Sequence, residues 1–269
     1  MTLSHVVGTS DEPLIGETIG DNLDRIAAEY PDHTCVVSRH QELRYSYREF
    51  VEEVDRCARA FLALGVERGQ RVGIWSPNRA EWTFTQYATA KLGAILVNIN
   101  PAYRTSEVEY TLTQSGTSVL VTAARFKTSD YVGMIAEVRP KLPALTTVIT
   151  LDDDPAGDLT WSAFLGRVEE VDEGTLRERQ ASLDFDDPIN IQYTSGTTGF
   201  PKGATLTHHN ILNNAFLITG IQDIGPGDSL CVPVPLYHCF GMVAGNLACT
   251  RRGGAPWSTP VRASNPPRP

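Results

Sequence analysis

Nowhere in these 269 residues does a run approach the roughly 18 consecutive apolar residues of a membrane-spanning helix. Residues 1–13 lack the basic start and apolar stretch of a secretory signal. Cysteine is sparse and unpatterned. Cys35, Cys57, Cys231, Cys239 and Cys249 make no Cys-x-x-Cys pair and no zinc-like pairing with histidine. Reduced thiols in a cytoplasmic protein are the expectation, and no metal-ligating set is identified. Positive charge is also short: 23 Lys and Arg stand against 32 Asp and Glu, a net charge of -9. That excludes a basic face for nucleic acid or an anionic membrane. An anionic ligand therefore needs local help from backbone dipoles, a lysine or a metal, and such help shows as a motif. What is present is ordinary for a globular protein, 41% hydrophobic and 20% charged, with length for one large domain or two modest ones.

Between residues 16 and 150 two periodicities alternate. Ser46 and Glu49 form a capping-box pattern. Phe50, Val51, Val54, Cys57, Ala58, Phe61 and Leu62 then recur on one helical face, up to Gly65, which suits a left-handed cap. Strand-like runs at 71–75, 94–99, 118–122 and 146–150 are separated by helix-like stretches, one at 79–92 stopped by Gly93, another opened by Ser106 with Glu109. Strands spaced by helices predict an α/β fold of parallel βαβ units. An acidic break, LDDDPAGD, follows residue 150, then a helix near Thr160 and a polar connection to about Asp187. The expected organisation is a first α/β subdomain over 1–180, a partial second subdomain over 181–250, and a disordered tail over 251–269. That tail has four arginines, five prolines and no acidic residue, too little apolar surface to offset its ordering entropy.

Between a strand ending at Tyr193 and a helix starting near Thr207 lies TSGTTGFPKGATL. Gly196, Gly199 and Gly203 permit sharp turns and close backbone approach. Thr194, Ser195, Thr197 and Thr198 supply hydroxyls, and Lys202 a mobile positive charge. Successive N–H groups in such a loop form an anion-binding concavity suited to phosphate. The composition alone also fits an ordinary surface turn. The spacing excludes the kinase-type P-loop, which needs Gly before and Ser or Thr after its lysine, and the G-x-G-x-x-G dinucleotide fingerprint.

The unbroken stretch YTSGTTGFPKGA, residues 193–204, resembles the phosphate-binding signature of the acyl-adenylate-forming superfamily. PLYHCFG, residues 235–241, is similar to the next motif of that family at the expected separation. WSPNRAEW and GAILVNINPAY resemble acyl-CoA synthetases of the fatty-acid branch. The resemblance covers roughly residues 15–250. It implies a two-step reaction in which a carboxylic acid reacts with Mg2+-ATP to give acyl-AMP, and CoA then displaces AMP. It implies that Thr194, Ser195, Gly196, Thr197, Thr198 and Gly199 hold phosphates with Lys202 assisting. His238, Phe240 and Gly241 would lie at the adenylate and acyl pocket, with His238 the candidate catalytic residue. His208 and His209, at a helix start, are expected to be polar surface.

Family members run to roughly twice this length. The glutamate that helps bind Mg2+, the ribose-binding aspartate and the lysine of the small C-terminal domain have no candidates here. The expectation is a chain of impaired or no activity, an inactive fragment that at most binds nucleotide, or one that pairs with a separately encoded C-terminal half. A frameshift is the expected origin of the tail. Another adenylate-forming enzyme is an alternative. So, remotely, is a serine esterase, because Gly227-Asp228-Ser229-Leu230 matches an esterase signature. That chemistry needs a base oriented toward the serine. No Asp-x-x-His pair follows Ser229, and Gly225-Pro226-Gly227-Asp228 suits a plain turn.

Overall fold

In the computed structural model, which describes residues 13–152, 154–194 and 200–258, the apolar runs become the strands of one twisted sheet and the periodic stretches become its covering helices. The chain begins α1 (Ile19–Glu29), β1 (Thr34–Ser38), β2 (Leu43–Ser46), α2 (Tyr47–Ala63), β3 (Arg71–Trp75), α3 (Ala80–Leu92), β4 (Ile95–Asn98), α4 (Thr105–Ser115) and β5 (Val119–Thr122). The hairpin β6 (Arg125–Phe126) and β7 (Ser129–Asp130) precedes α5 (Tyr131–Val138), β8 (Thr147–Thr150), β9 (Leu159–Thr160), α6 (Trp161–Leu165) and α7 (Glu173–Ala181). The remainder is β10 (Pro188–Thr194), β11 (Lys202–Thr207), α8 (His208–Gln222), β12 (Ser229–Val232) and β13 (Ala255–Ser258).

Seven strands lie in the order β11-β10-β4-β3-β5-β8-β9. Every pairing is parallel except the antiparallel edge β10–β11. The α/β class expected from the sequence is therefore the class observed. A parallel sheet is covered on both faces, so its strands are apolar on both. Val72, Ile74, Val119 and Val121 face the core shared with α1, α2 and α3; Trp75, Val97 and Leu120 face the core shared with α4 and α5. Helix α3 is buried all round except at Glu81, which explains its lack of a polar stripe. The Ser46–Glu49 capping box is present, and Gly65 and Gly93 take positive φ of 78° and 76°.

Several local expectations are corrected. Helix α4 opens two residues earlier than Ser106–Glu109 implied: the Glu107 carboxylate accepts the Arg104 N–H at 2.9 Å. The polar connection before Asp187 contains α7, capped by Asp172 through the Thr175 N–H. Ala255–Ser258, in the stretch expected to be disordered, pairs parallel with both β1 and β12 in a second sheet, β12-β13-β1-β2. Residues 259–269 lie outside the described residues.

His208 is the sharpest correction. It is not surface but fully buried, and its Nδ1 accepts the Ile19 N–H at 3.1 Å. Beside it, the Asn213 carboxamide accepts from the Ile15 N–H and donates to the Ile15 carbonyl, so α8 holds down the segment leading into α1. His209 is half-buried beside the Phe185 ring, 5.4 Å away. Burial pushes the His208 imidazole down to about 4, against the opposing pull of Asp187, Asp21 and Asp184. An unfolded histidine titrates near 6.5, so between these values the unfolded chain binds more protons and stability falls as the pH is lowered. The loss is about 1.4 kcal/mol per pH unit at its steepest. Urea titrations from pH 7 to 4.5 are expected to show this slope. His208→Asn, whose side-chain oxygen still faces the Ile19 N–H, is expected to flatten it.

Candidate nucleotide site

The glycine-rich loop connects the two strands of a hairpin. Thr194, at the end of β10, pairs with Lys202, at the start of β11. Ser195, Gly196, Thr197, Thr198 and Gly199 lie outside the described residues. The expected strand–loop–helix order is thus corrected: a strand intervenes before α8, and Lys202 is a strand residue rather than part of a mobile loop. Its side chain is exposed at the mouth of the hairpin. Gly203 lies opposite Tyr193, and a Cβ there would come 3.0 Å from Ile191 Cγ2 and 3.4 Å from the Tyr193 ring. The glycine thus lets β11 lie flat on that ring. Burial pushes the Tyr193 phenol up to about 12, and its hydroxyl donates to the Thr111 carbonyl at 3.2 Å, tying β10 to α4.

Helix α4 also holds the other end of the loop. The exposed Phe200 ring stacks on Tyr110, with centroids 5.1 Å apart, and the Tyr110 hydroxyl donates to the Pro201 carbonyl at 3.1 Å. Gln114 donates to that hydroxyl at 2.8 Å. Nothing in the sequence singles out Tyr110, since it belongs to no motif and Phe200 and Pro201 are ninety residues away.

Residues 235–241 cross the carboxyl ends of the parallel strands, the place where open α/β sheets bind their ligands. The Asn78 carboxamide donates to the Val234 carbonyl and accepts the Leu236 N–H, both at 2.8 Å. Asn98, at the end of β4, and Gln192, near the end of β10, donate to the Tyr237 carbonyl at 3.0 and 2.6 Å. The thiol of Cys239, raised above its ordinary value by burial, donates to Gln192 Oε1 at 3.5 Å. The structure thus joins the base of the glycine-rich hairpin directly to the second motif.

His238 is exposed and caps the following turn, its Nδ1 accepting the Phe240 N–H at 3.2 Å. That bond leaves Nε2 as the nitrogen available to a ligand. Phe240 is 61% exposed, unusual for a phenylalanine in a folded domain. Gly241 is buried, and residues 242–247 continue as a π-helical segment, a winding often found at functional sites. Alongside, Pro77, Asn100, Pro101, Phe126, Pro235 and Tyr237 line a cavity of about 210 Å³. A larger cleft of about 570 Å³ between α1, α2 and α7 is lined by charges such as Asp24, Asp55, Lys91, Glu173 and Arg177. Those charges largely neutralise one another through ion pairs, and the cleft touches neither motif.

The esterase-like Ser229 begins β12 at the surface. Asp228 is occupied by its own turn, accepting the Gly225 N–H at 2.8 Å, with Gly227 at φ 85°. His33 shares a cavity of about 360 Å³ with Ser229, but among the described residues no hydrogen bond joins them.

The structure thus sets an exposed lysine at the glycine-rich hairpin and, through the Gln192–Tyr237 hydrogen bond, a histidine-bearing turn at the ends of the parallel strands of an α/β domain. The family profile of AMP-binding enzymes matches residues 23–266, and the chain belongs to that family. It is 39% identical over 269 residues to the mouse (Mus musculus) medium-chain acyl-CoA ligase ACSF2, mitochondrial, covering 93% of this chain and 44% of the mouse protein. To the zebrafish (Danio rerio) protein of the same name it is 40% identical over 264 residues, covering 92% and 43%. The chain thus spans less than half the length of these curated relatives. Among solved structures, the inhibitor-bound N-terminal domain of FACL13 from Mycobacterium tuberculosis superposes with a TM-score of 0.78 at 27% identity, covering 92% of this chain and 58% of that one.

Proposed function

We propose that these residues form the nucleotide- and acyl-binding part of an ATP-dependent acid:CoA ligase acting on a medium- or long-chain fatty acid. The acid's carboxylate attacks the α-phosphorus of ATP and pyrophosphate leaves, giving acyl-AMP. The CoA thiol then attacks the acyl carbonyl and AMP leaves. The first step concentrates negative charge on phosphoryl oxygens, so catalysis is chiefly positioning and electrostatic stabilisation. With a net charge of -9 on the chain, that stabilisation has to be local. In this proposal the hydroxyls and N–H groups of Thr194, Ser195, Gly196, Thr197, Thr198 and Gly199 receive the β and γ phosphates, and Lys202 supplies the countercharge. His238 Nε2 faces the adenylate, and Phe240 offers apolar surface to the acyl chain. The observation that carries the proposal is the Gln192–Tyr237 hydrogen bond, which places the two motifs side by side.

Among the described residues no group of three or more His, Cys, Asp or Glu could hold a metal ion; in this proposal Mg2+ is brought by ATP, and its main protein ligand is a glutamate for which this chain has no candidate. Among them, too, no helix is long and apolar enough to cross a membrane. In this proposal the protein acts in the cytoplasm, in keeping with its sparse and unpatterned cysteines.

The test is ATP–pyrophosphate exchange dependent on added decanoate. Acid-dependent exchange slower than that of a full-length relative is the expected result. ATP binding without exchange would reduce the chain to a nucleotide-binding module; exchange with amino acids instead would move it to another adenylate-forming class. Absence of ATP binding would remove the proposal altogether. Lys202→Met is expected to weaken ATP binding about tenfold by calorimetry, the scale of one charge-assisted contact at an exposed site.

A further inference from the structure

Three carboxamides are buried where a parallel sheet normally carries aliphatic side chains. Asn98 and Asn190 are each 1% exposed and Gln192 is 5% exposed. Asn190 and Gln192 are two residues apart and share a face of β10, and Gln192 pairs in register with Asn98 of β4. Buried amides are costly unless bonded, so three together need a reason. Their hydrogen bonds run in one direction. Asn190 Nδ2 donates to Asn98 Oδ1 at 3.0 Å and to the Leu96 carbonyl at 3.0 Å. Asn98 Nδ2 donates to Gln192 Oε1 at 3.1 Å and to the Tyr237 carbonyl. Gln192 Nε2 donates to the same carbonyl. The sheet's own backbone ladder needs none of these bonds. These bonds converge on the Tyr237 carbonyl, one residue before His238, with Met242 Sδ a further partner of Asn98 Nδ2 at 2.9 Å, and they start from a strand that enters the glycine-rich loop two residues after Gln192.

We infer that Asn98 and Gln192 are positioning residues: through the Tyr237 carbonyl they set where residues 235–241, and with them His238, sit relative to the carboxyl end of β10. The functional consequence rests on the ligase reading above. The mechanical one does not. Replacing Gln192 by methionine keeps the length and removes both donor hydrogens. The Tyr237 carbonyl is then left with Asn98 alone, and Asn98 Nδ2 and Cys239 Sγ lose a shared acceptor.

The experiment has two arms on the full chain. In the first, hydrogen–deuterium exchange is followed in wild type, Gln192→Met, Asn98→Leu and Gln192→Glu, the last keeping an acceptor for Asn98 while losing the donor to Tyr237. In all three variants the amides of residues 236–242 are expected to exchange at least tenfold faster, with peptides from α1, α2 and α3 unchanged. Unchanged exchange at 236–242, or a uniform rise across the protein, would overturn the positioning role, whatever the ligand. In the second arm, ATP and the acyl-adenylate mimic 5′-O-(N-octanoylsulfamoyl)adenosine are titrated into the same proteins. Binding of the mimic is expected to fall about tenfold in the variants and that of ATP less than threefold. Equal losses for the two ligands would contradict the assigned geometry. If the wild type bound neither ligand, the ligase proposal would fail while the exchange arm still decided the positioning claim.

Discussion

Gly241→Ala is expected to abolish tight binding of an acyl-adenylate mimic while leaving the protein folded. Gly241 is not held in a left-handed conformation, since its φ is -76°. Its requirement is space. A Cβ there would lie 2.4 Å from the Pro235 carbonyl oxygen and 2.8 Å from Leu236 Cα. Both obstacles are backbone, and both belong to the stretch pinned by Asn78, so neither can swing aside as a side chain would. Relief requires residues 235–241 to move as a body, carrying His238 with them. Overpacking of this kind costs about 1–3 kcal/mol, a loss that a domain of ordinary stability survives. Calorimetry is expected to show at least a thirtyfold loss of affinity for the mimic, with a melting temperature only a few degrees lower. Gly220→Ala is the control. Its Cβ meets nothing within 4 Å inside α8, and alanine there is expected to stabilise by about 0.5–1 kcal/mol with binding unaltered. Equal binding in the two variants would contradict the close-approach account of Gly241.

The second large effect concerns stability alone. Lys91 is 2% exposed on α3, and its ammonium touches Asp24 of α1 at 2.6 Å and Asp55 of α2 at 2.5 Å. Gln180 of α7 donates to Asp24 as well, so four helices meet at one charge. The partners are not equivalent, because Asp24 and Asp55 are 41% and 38% exposed. Water partly solvates the carboxylates, whereas the ammonium has almost none. Removing both carboxylates, in Asp24→Asn with Asp55→Asn, strands a buried cation and is expected to cost about 3–5 kcal/mol. Lys91→Met removes the cation instead and leaves two carboxylates that rehydrate, at an expected cost under about 1.5 kcal/mol. Urea denaturation of the three proteins gives the ranking. A Lys91→Met variant less stable than the double asparagine variant would show that the carboxylates, not the lysine, need the pairing.

Local signals made much of the fold legible. The Ser46–Glu49 box, the left-handed glycines at 65 and 93, and the strand at 71–75 each depend on neighbours a few residues away, and all are present. Elements whose reason is distant were not legible. Strand β11, KGATLT, is a largely exposed edge whose one strand partner among the described residues is β10. Helix α7 buries a single residue, Leu176, so its apolar period is almost silent. Strand β13 lies between β12 and β1 despite Pro256, a residue that argues against a central strand; its partner β1 lies some two hundred residues earlier in the chain. His208 reads as polar surface because the Ile19 N–H that it accepts comes from the other end of the chain.

The candidate site divides along the same line. Contiguous motifs exposed the glycine-rich loop and residues 235–241. The groups that hold them in place, Asn78, Asn98, Tyr110 and Gln192, are spread over the loop before α3 and three elements and share no spacing that a sequence displays. Asn78 and Asn98 do fall within the two upstream stretches that resemble acyl-CoA synthetases, yet nothing in those stretches says what the asparagines bind.

The most direct test of the account is photolabelling of the protein with 8-azido-ATP, followed by peptide mapping with and without competing ATP. Label that ATP displaces is predicted on peptides from the β10–β11 hairpin and from residues 229–250. Label confined to the charged cleft between α1, α2 and α7, or spread without competition, would contradict a nucleotide site at the carboxyl edge of the sheet.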